Sequence, residues 1–230
     1  MNDIDDSNAI ILAPIIERAK KLADEHKQNR SNPIPIIAVA GSKGSGKSYC
    51  AHHLYQILLD GGCNVFLLKQ NGFIPFKEID SQGLAVEPRM RWHELTDVLK
   101  KITAGTHKID IPFRDKSSRP FTIGHETSDF TDIDLVIFDG TFSLTDVTTY
   151  NFFSYATFGV FIKTSDENLQ TWRWQRHTKK PLQAQKTKEQ FDRDWMHDME
   201  IYRKYVLPTE QNATFIISKD AEHRYTLVEK

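Results

Sequence analysis

The segment Gly41-Ser42-Lys43-Gly44-Ser45-Gly46-Lys47-Ser48 constrains this chain more than any other. It satisfies G-x-x-x-x-G-K-[ST] in full, a spacing whose glycines let the backbone curl until successive N–H groups point inward at phosphate oxygens. A helix that starts at the end of such a loop adds the positive end of its dipole to the same anion. The flanking residues supply that context. Ile36-Ile37-Ala38-Val39-Ala40 is a short apolar run of the kind that forms a strand buried on both faces, and Lys47 to Asp60 reads as a helix stopped by Gly61-Gly62. In such a loop the lysine, Lys47, reaches the outer phosphates of a nucleotide and the serine, Ser48, ligates magnesium, with Gly41 to Tyr49 lining the phosphates.

The rest of the chain repeats the strand-then-helix rhythm. Val65 to Leu68, Leu135 to Phe138, Phe158 to Ile162 and Thr214 to Ile217 read as further strands, and Trp92 to Ala104, Glu167 to His177 and Glu189 to Val206 as helices. Such alternation predicts an α/β fold with a mostly parallel sheet wrapped on both faces. The length, 230 residues, suits one sizeable core. Residues 1–32 read as an N-terminal amphipathic helix and linker, packed against a main domain at 33–230. With 30 Lys+Arg against 31 Asp+Glu the chain lacks the global charge that nucleic-acid or membrane binding calls for, so any anion site is local. Two cysteines, Cys50 and Cys63, make neither a disulfide framework nor a zinc site. No signal peptide or membrane span is evident, which places the chain in the cytoplasm, and its oligomeric state stays open.

A phosphate loop needs an acidic partner at the end of a neighbouring strand, and Asp139 closes Leu135-Val136-Ile137-Phe138 in that way. From about Ile34 to Ile217 the order of segments resembles the uridine kinase and phosphoribulokinase superfamily of P-loop kinases. Asp134 through Leu144 is similar to its acidic strand end, Trp92 through Gly105 to its helix after the second strand, Ile111-Pro112-Phe113-Arg114-Asp115 to its substrate-side strand, and Tyr205 through Ala213 to its stretch before the last strand. The resemblance implies a P-loop NTPase three-layer sandwich with a basic lid, ATP and Mg2+ as cofactors, and a small-molecule phosphoryl acceptor. It also implies that Arg173 and Arg176, with Lys179 and Lys180 beyond them, close over ATP, guanidinium groups being suited to spread charge over several phosphate oxygens.

Two departures follow. Where the family carries an aspartate as base after the second strand, this chain reads Lys69-Gln70-Asn71-Gly72-Phe73, and the Asn71 amide holds a hydroxyl without being able to take its proton. Glu78 and Asp80 are the nearest substitute carboxylates; otherwise catalysis rests on positioning and charge neutralisation. Where nucleoside kinases of the family place aromatic groups, this chain has Arg114, Asp115, Lys116 and Arg119, which points to an anionic acceptor rather than a nucleoside. A nucleotide-binding regulatory or scaffold protein that lost efficient transfer is the alternative, and Asn71 is its best support. His125 with Glu126 and His197 with Asp198 read as surface groups, and Trp172, Trp174 and Trp195 as packing residues.

Overall fold

A computed structural model describes residues 3–73, 91–114, 123–147, 150–179, 181 and 186–228. Six strands form one sheet in the order β10-β9-β8-β1-β5-β2, with β1 at Ile36–Gly41, β2 at Val65–Lys69, β5 at Leu135–Asp139, β8 at Phe158–Lys163, β9 at Phe215–Lys219 and β10 at Tyr225–Val228. All neighbours run parallel except β10, which returns antiparallel to β9. Every residue of β1 and β5 is buried, as the unbroken apolar runs require of strands covered on both faces.

The period of two along β1 divides the interior. Ile36, Ala38 and Ala40 face one core with Trp92, Leu95, Leu99 and Ile102 of α3 (Trp92–Thr103). Ile37 and Val39 face the other, which holds Leu12, Ile15, Ala19 and Ala23 of α1 (Asp3–Gln28) and Leu54 and Leu58 of α2 (Lys47–Asp60). Helix, sheet and helix make the three layers. The α1 stripe at positions 12, 15, 19 and 23 is fully buried, so this helix is part of the core.

The α4 helix spans Asp166–Thr178 and is capped by Ser165, whose Oγ accepts from Asn168 N at 3.2 Å. The α5 helix spans Lys188–Ile201 and opens with a capping box between Thr187 and Gln190. The helix expected to run on to Val206 changes register at Ile201, passing into a π turn at Tyr202–Val206 and a 3₁₀ turn at Leu207–Asn212. Pro208, which has no N–H to continue the ladder, explains the break. The expected substrate-side strand is one arm of a hairpin, β3 (Lys108–Arg114) antiparallel to β4 (Ile123–Asp129), separate from the main sheet. A second small hairpin pairs β6 (Asp146–Val147) with β7 (Tyr150–Asn151). Among the described residues no helix is long and apolar enough to cross a membrane.

Candidate functional site

The C-terminal ends of the parallel strands gather at one edge of the sheet, the usual ligand edge of an open α/β fold. There β1 runs into the phosphate loop. Ser45 N donates to Ser42 O at 3.1 Å to close its turn, and Cys50 N donates to Gly46 O at 3.0 Å to begin α2. Gly46 caps α2 at φ +95°, a left-handed conformation that a side chain would strain. Lys47 is half-buried, and burial lowers its pKa against the pull of Asp139, with Arg176 and Lys43 pushing the same way as burial. A lysine so surrounded is a charge that an incoming anion relieves. Ser48 and Tyr49 are exposed on the first turn of α2, with the Tyr49 ring stacked on His53 at 6.1 Å between centroids.

Asp139 ends β5 in register with Val39 of β1 and Lys69 of β2, which sets its buried carboxylate beside the loop. Its Oδ1 has no hydrogen-bond partner among the described residues. The same is true of Ser45 Oγ and of Arg173 Nη1, both buried. Buried polar atoms are nearly always satisfied, so three orphans around one loop mark a place built for a polar ligand. Arg173 lies across the loop from α4, close enough that a Cβ on Gly44 would stand 2.8 Å from its Cγ. Its guanidinium stacks on Trp195 at 5.1 Å and pairs through Nη2 with Asp198 of α5. Asp198 Oδ2 also accepts from Lys43 Nζ at 3.0 Å. Burial opposes ionisation of Asp198, but Lys43 and Arg173 outweigh it and hold the carboxyl below its ordinary range. Arg176 is exposed one turn further along α4.

On the other flank, β2 passes into a 3₁₀ turn at Gln70–Phe73. Gln70 is buried and its Oε1 accepts from Phe142 N at 3.1 Å, tying this turn to the one after Asp139. Asn71 is exposed on the turn. Gly72 lies under the hairpin so closely that a Cβ would stand 2.3 Å from Pro112 O. Phe73 O accepts from Arg91 N at 2.9 Å, bringing the start of α3 alongside.

The structure therefore places Gly41 to Ser48, Asp139 and Arg173 together, with Arg176 and Asn71 on the flanks. Arg114 ends β3, while Asp115, Lys116, Arg119, Glu78, Asp80 and Lys180 lie outside the described residues. One expectation is corrected: Asp198 is no solvated surface group but a carboxylate bridging loop and α4. His125 is exposed, as expected, and pairs through Nε2 with Glu94 Oε1 at 2.8 Å. Asp198, Gln70 and Lys219, whose Nζ sits 2.7 Å from where a Gly46 Cβ would be, escaped sequence reasoning because no local spacing announces them.

No family profile and no curated protein sequence matches the chain. Solved structures do. D-glycerate 3-kinase from Cryptococcus neoformans var. grubii superposes with a TM-score of 0.71 at 14% identity, over 95% of this chain and 99% of that one. Phosphoribulokinase from Rhodobacter spheroides gives 0.67 at 14% identity, over 84% and 71%. The YGR205w protein gives 0.71 at 16% identity, over 95% and 97%. The chain shares the fold of these structures, phosphoribulokinase among them. The six-stranded sheet with its helices on both faces is thus the P-loop NTPase sandwich, and Gly41 to Ser48 occupies the loop between β1 and α2 that the sequence motif calls for.

Proposed function

We propose that the protein is a magnesium- and ATP-dependent phosphotransferase that phosphorylates a hydroxyl of a small metabolite. The observation that carries this reading is that Ser45 Oγ, Asp139 Oδ1 and Arg173 Nη1, each buried and without a partner among the described residues, lie around a complete phosphate loop. Support also comes from the fold, since two of the solved structures that share it are named as a phosphoribulokinase and a D-glycerate 3-kinase.

The residues divide the work by position. Backbone N–H groups of the loop and Lys47 hold the β- and γ-phosphates, and Arg173 and Arg176 approach the same anion from α4. The Ser48 hydroxyl and the orphaned Asp139 oxygen fit a hard cation that takes a few protein oxygens and fills its shell with phosphate and water. Bound there, magnesium ATP supplies the transferable phosphoryl group with part of its charge already neutralised. Asn71 orients the acceptor hydroxyl by hydrogen bonding. With an amide at that position transfer leans on alignment and charge, forgoing the ~10²- to 10⁴-fold that a general base contributes. The near-balance of charge, 30 Lys+Arg against 31 Asp+Glu, favours a small acceptor over nucleic acid.

A second reading, a nucleotide-binding regulator or scaffold, draws on Asn71 standing exposed where a base would be. The two part in one assay, ADP release from magnesium ATP with and without a pool of small hydroxylated metabolites. The phosphotransferase reading expects release that depends on an added acceptor and vanishes in Lys47→Ala. Nucleotide binding without such release would hand the case to the second reading.

A further inference from the structure

A second group of unsatisfied donors lies at the start of α3. Arg91 is anchored there by its backbone bond to Phe73 O, at the end of the turn that carries Asn71. Its side chain meets Glu94, Nη1 standing 2.6 Å from Oε2. Glu94 in turn holds His125 of β4 through its other oxygen. The guanidinium is thus braced between the helix and the hairpin. Its opposite edge, Nε and Nη2, is buried and has no hydrogen-bond partner among the described residues. The Nε1 of the neighbouring Trp92 is a third buried donor in the same condition.

The Nε and Nη2 hydrogens of arginine point the same way, at the spacing of two oxygens on one carboxylate or phosphate. An ion pair with Glu94 accounts for Nη1 and leaves that edge unexplained, since buried donors in folded proteins find acceptors. The place also suits a substrate. Asn71 and Phe73 belong to one turn, and β2, which leads into it, ends in register with Asp139. We infer that Arg91 anchors the acceptor: its free edge grips the carboxylate or phosphate of a small hydroxylated anion in a bidentate pair, with Glu94 and His125 fixing the guanidinium. The inference rests on the phosphotransferase reading for its substrate, but stands on residues that the nucleotide site does not use. A neutral nucleoside would leave the edge unpaired, whereas a hydroxy acid or sugar phosphate fills it.

Calorimetry on the full chain tests this. With the nucleotide site saturated by magnesium and a non-hydrolysable ATP analogue, glycerate and ribose 5-phosphate are titrated beside their neutral counterparts, glycerol and ribose. Binding of at least one anion, and of neither neutral compound, is expected; which anion binds tells carboxylate from phosphate. Arg91→Gln should weaken that binding about ten- to a hundredfold, as loss of hydrogen bonds to a charged group does, and Arg91→Lys less, because an ammonium cannot fill both positions. Affinity for the nucleotide analogue should be unchanged in both variants, and thermal melting checks that each is folded. Neither anion binding to the wild-type protein, equal binding of the neutral compounds, or undiminished binding by both variants would overturn the assignment. Failure of the nucleotide analogue itself to bind would instead remove the reading beneath it.

Discussion

Asp198 is the residue on which two positive groups near the loop, Lys43 and Arg173, depend for their arrangement. Of its two partners Arg173 matters more, because its side chain is 7% exposed whereas that of Lys43 is 61% exposed and screened by water. Asp198→Asn leaves a buried guanidinium without its counter-charge, and the expected loss of stability at pH 7 is about 2 kcal/mol. A carboxyl held below its ordinary value contributes fully above the unfolded pKa, near 3.9, and loses that contribution as pH falls through the folded value. Urea unfolding of both proteins should therefore show a constant gap from pH 7 to pH 5 that closes only in more acid solution. A gap that widens with acid would mean the carboxyl does not bear this charge. On the proposed reading, Asp139→Asn should leave the fold intact and lower acceptor-dependent turnover at least about a hundredfold, read as kcat under saturating nucleotide, since the change removes the charge that would face magnesium. At this scale the loop was legible because its chemistry is written in eight consecutive residues. Asp198 was not, because its partners lie 155 and 25 residues away in sequence and meet it only through the packing of α4 and α5.

Between elements, the contacts that hold the edges of the molecule are few and specific. Asn8 on α1 accepts from Tyr225 N at 2.7 Å and donates to His223 O at 3.1 Å, pinning the last hairpin to the first helix. Asn8→Ala leaves a buried backbone N–H unpaired and is expected to cost ~1–2 kcal/mol in urea unfolding, with turnover unaffected. Gly72 acts at the other edge, where the hairpin rests on it. A methyl group there collides with the Pro112 carbonyl, so Gly72→Ala should displace β3 and β4 and raise the acceptor KM while the affinity for magnesium ATP stays as it was. Equal changes in both constants would show that the hairpin does not serve the acceptor side. The α2 limits agree with the sequence because Gly46 and Gly61-Gly62 punctuate them. The β4 strand was missed for an equally physical reason: Gly124-His125-Glu126-Thr127-Ser128-Asp129 carries no apolar alternation, its partner β3 supplying the buried side chains Ile109 and Ile111. β10 was likewise hidden, as its pairing depends on a turn in which Asp220 Oδ1 accepts from Arg224 N at 2.8 Å.

For the molecule as a whole, the strand order puts β1 between β8 and β5, so the loop after β1 opens at the centre of the sheet edge with Asp139 on one side and α4 on the other. Of the unpaired buried atoms among the described residues, one group lies around the phosphate loop and another at Arg91 and Trp92 beside Asn71, while others, such as His26 Nδ1 and Thr145 Oγ1, lie apart from both. The layers could be read from alternating strands and helices because burial on both faces imposes continuous apolar runs. The proposed acceptor side could not, since it is assembled from a turn, the start of a helix and a hairpin that only the fold brings together. The central claim is that Gly41 to Ser48 holds a nucleotide triphosphate through Lys47. Its most direct test is calorimetric titration of ATP with magnesium into the wild-type chain and into Lys47→Ala. The account predicts saturable binding at one site per chain, lost on substitution of the lysine. No heat from ATP or GTP with the wild-type chain, or equal affinity in the variant, would contradict it.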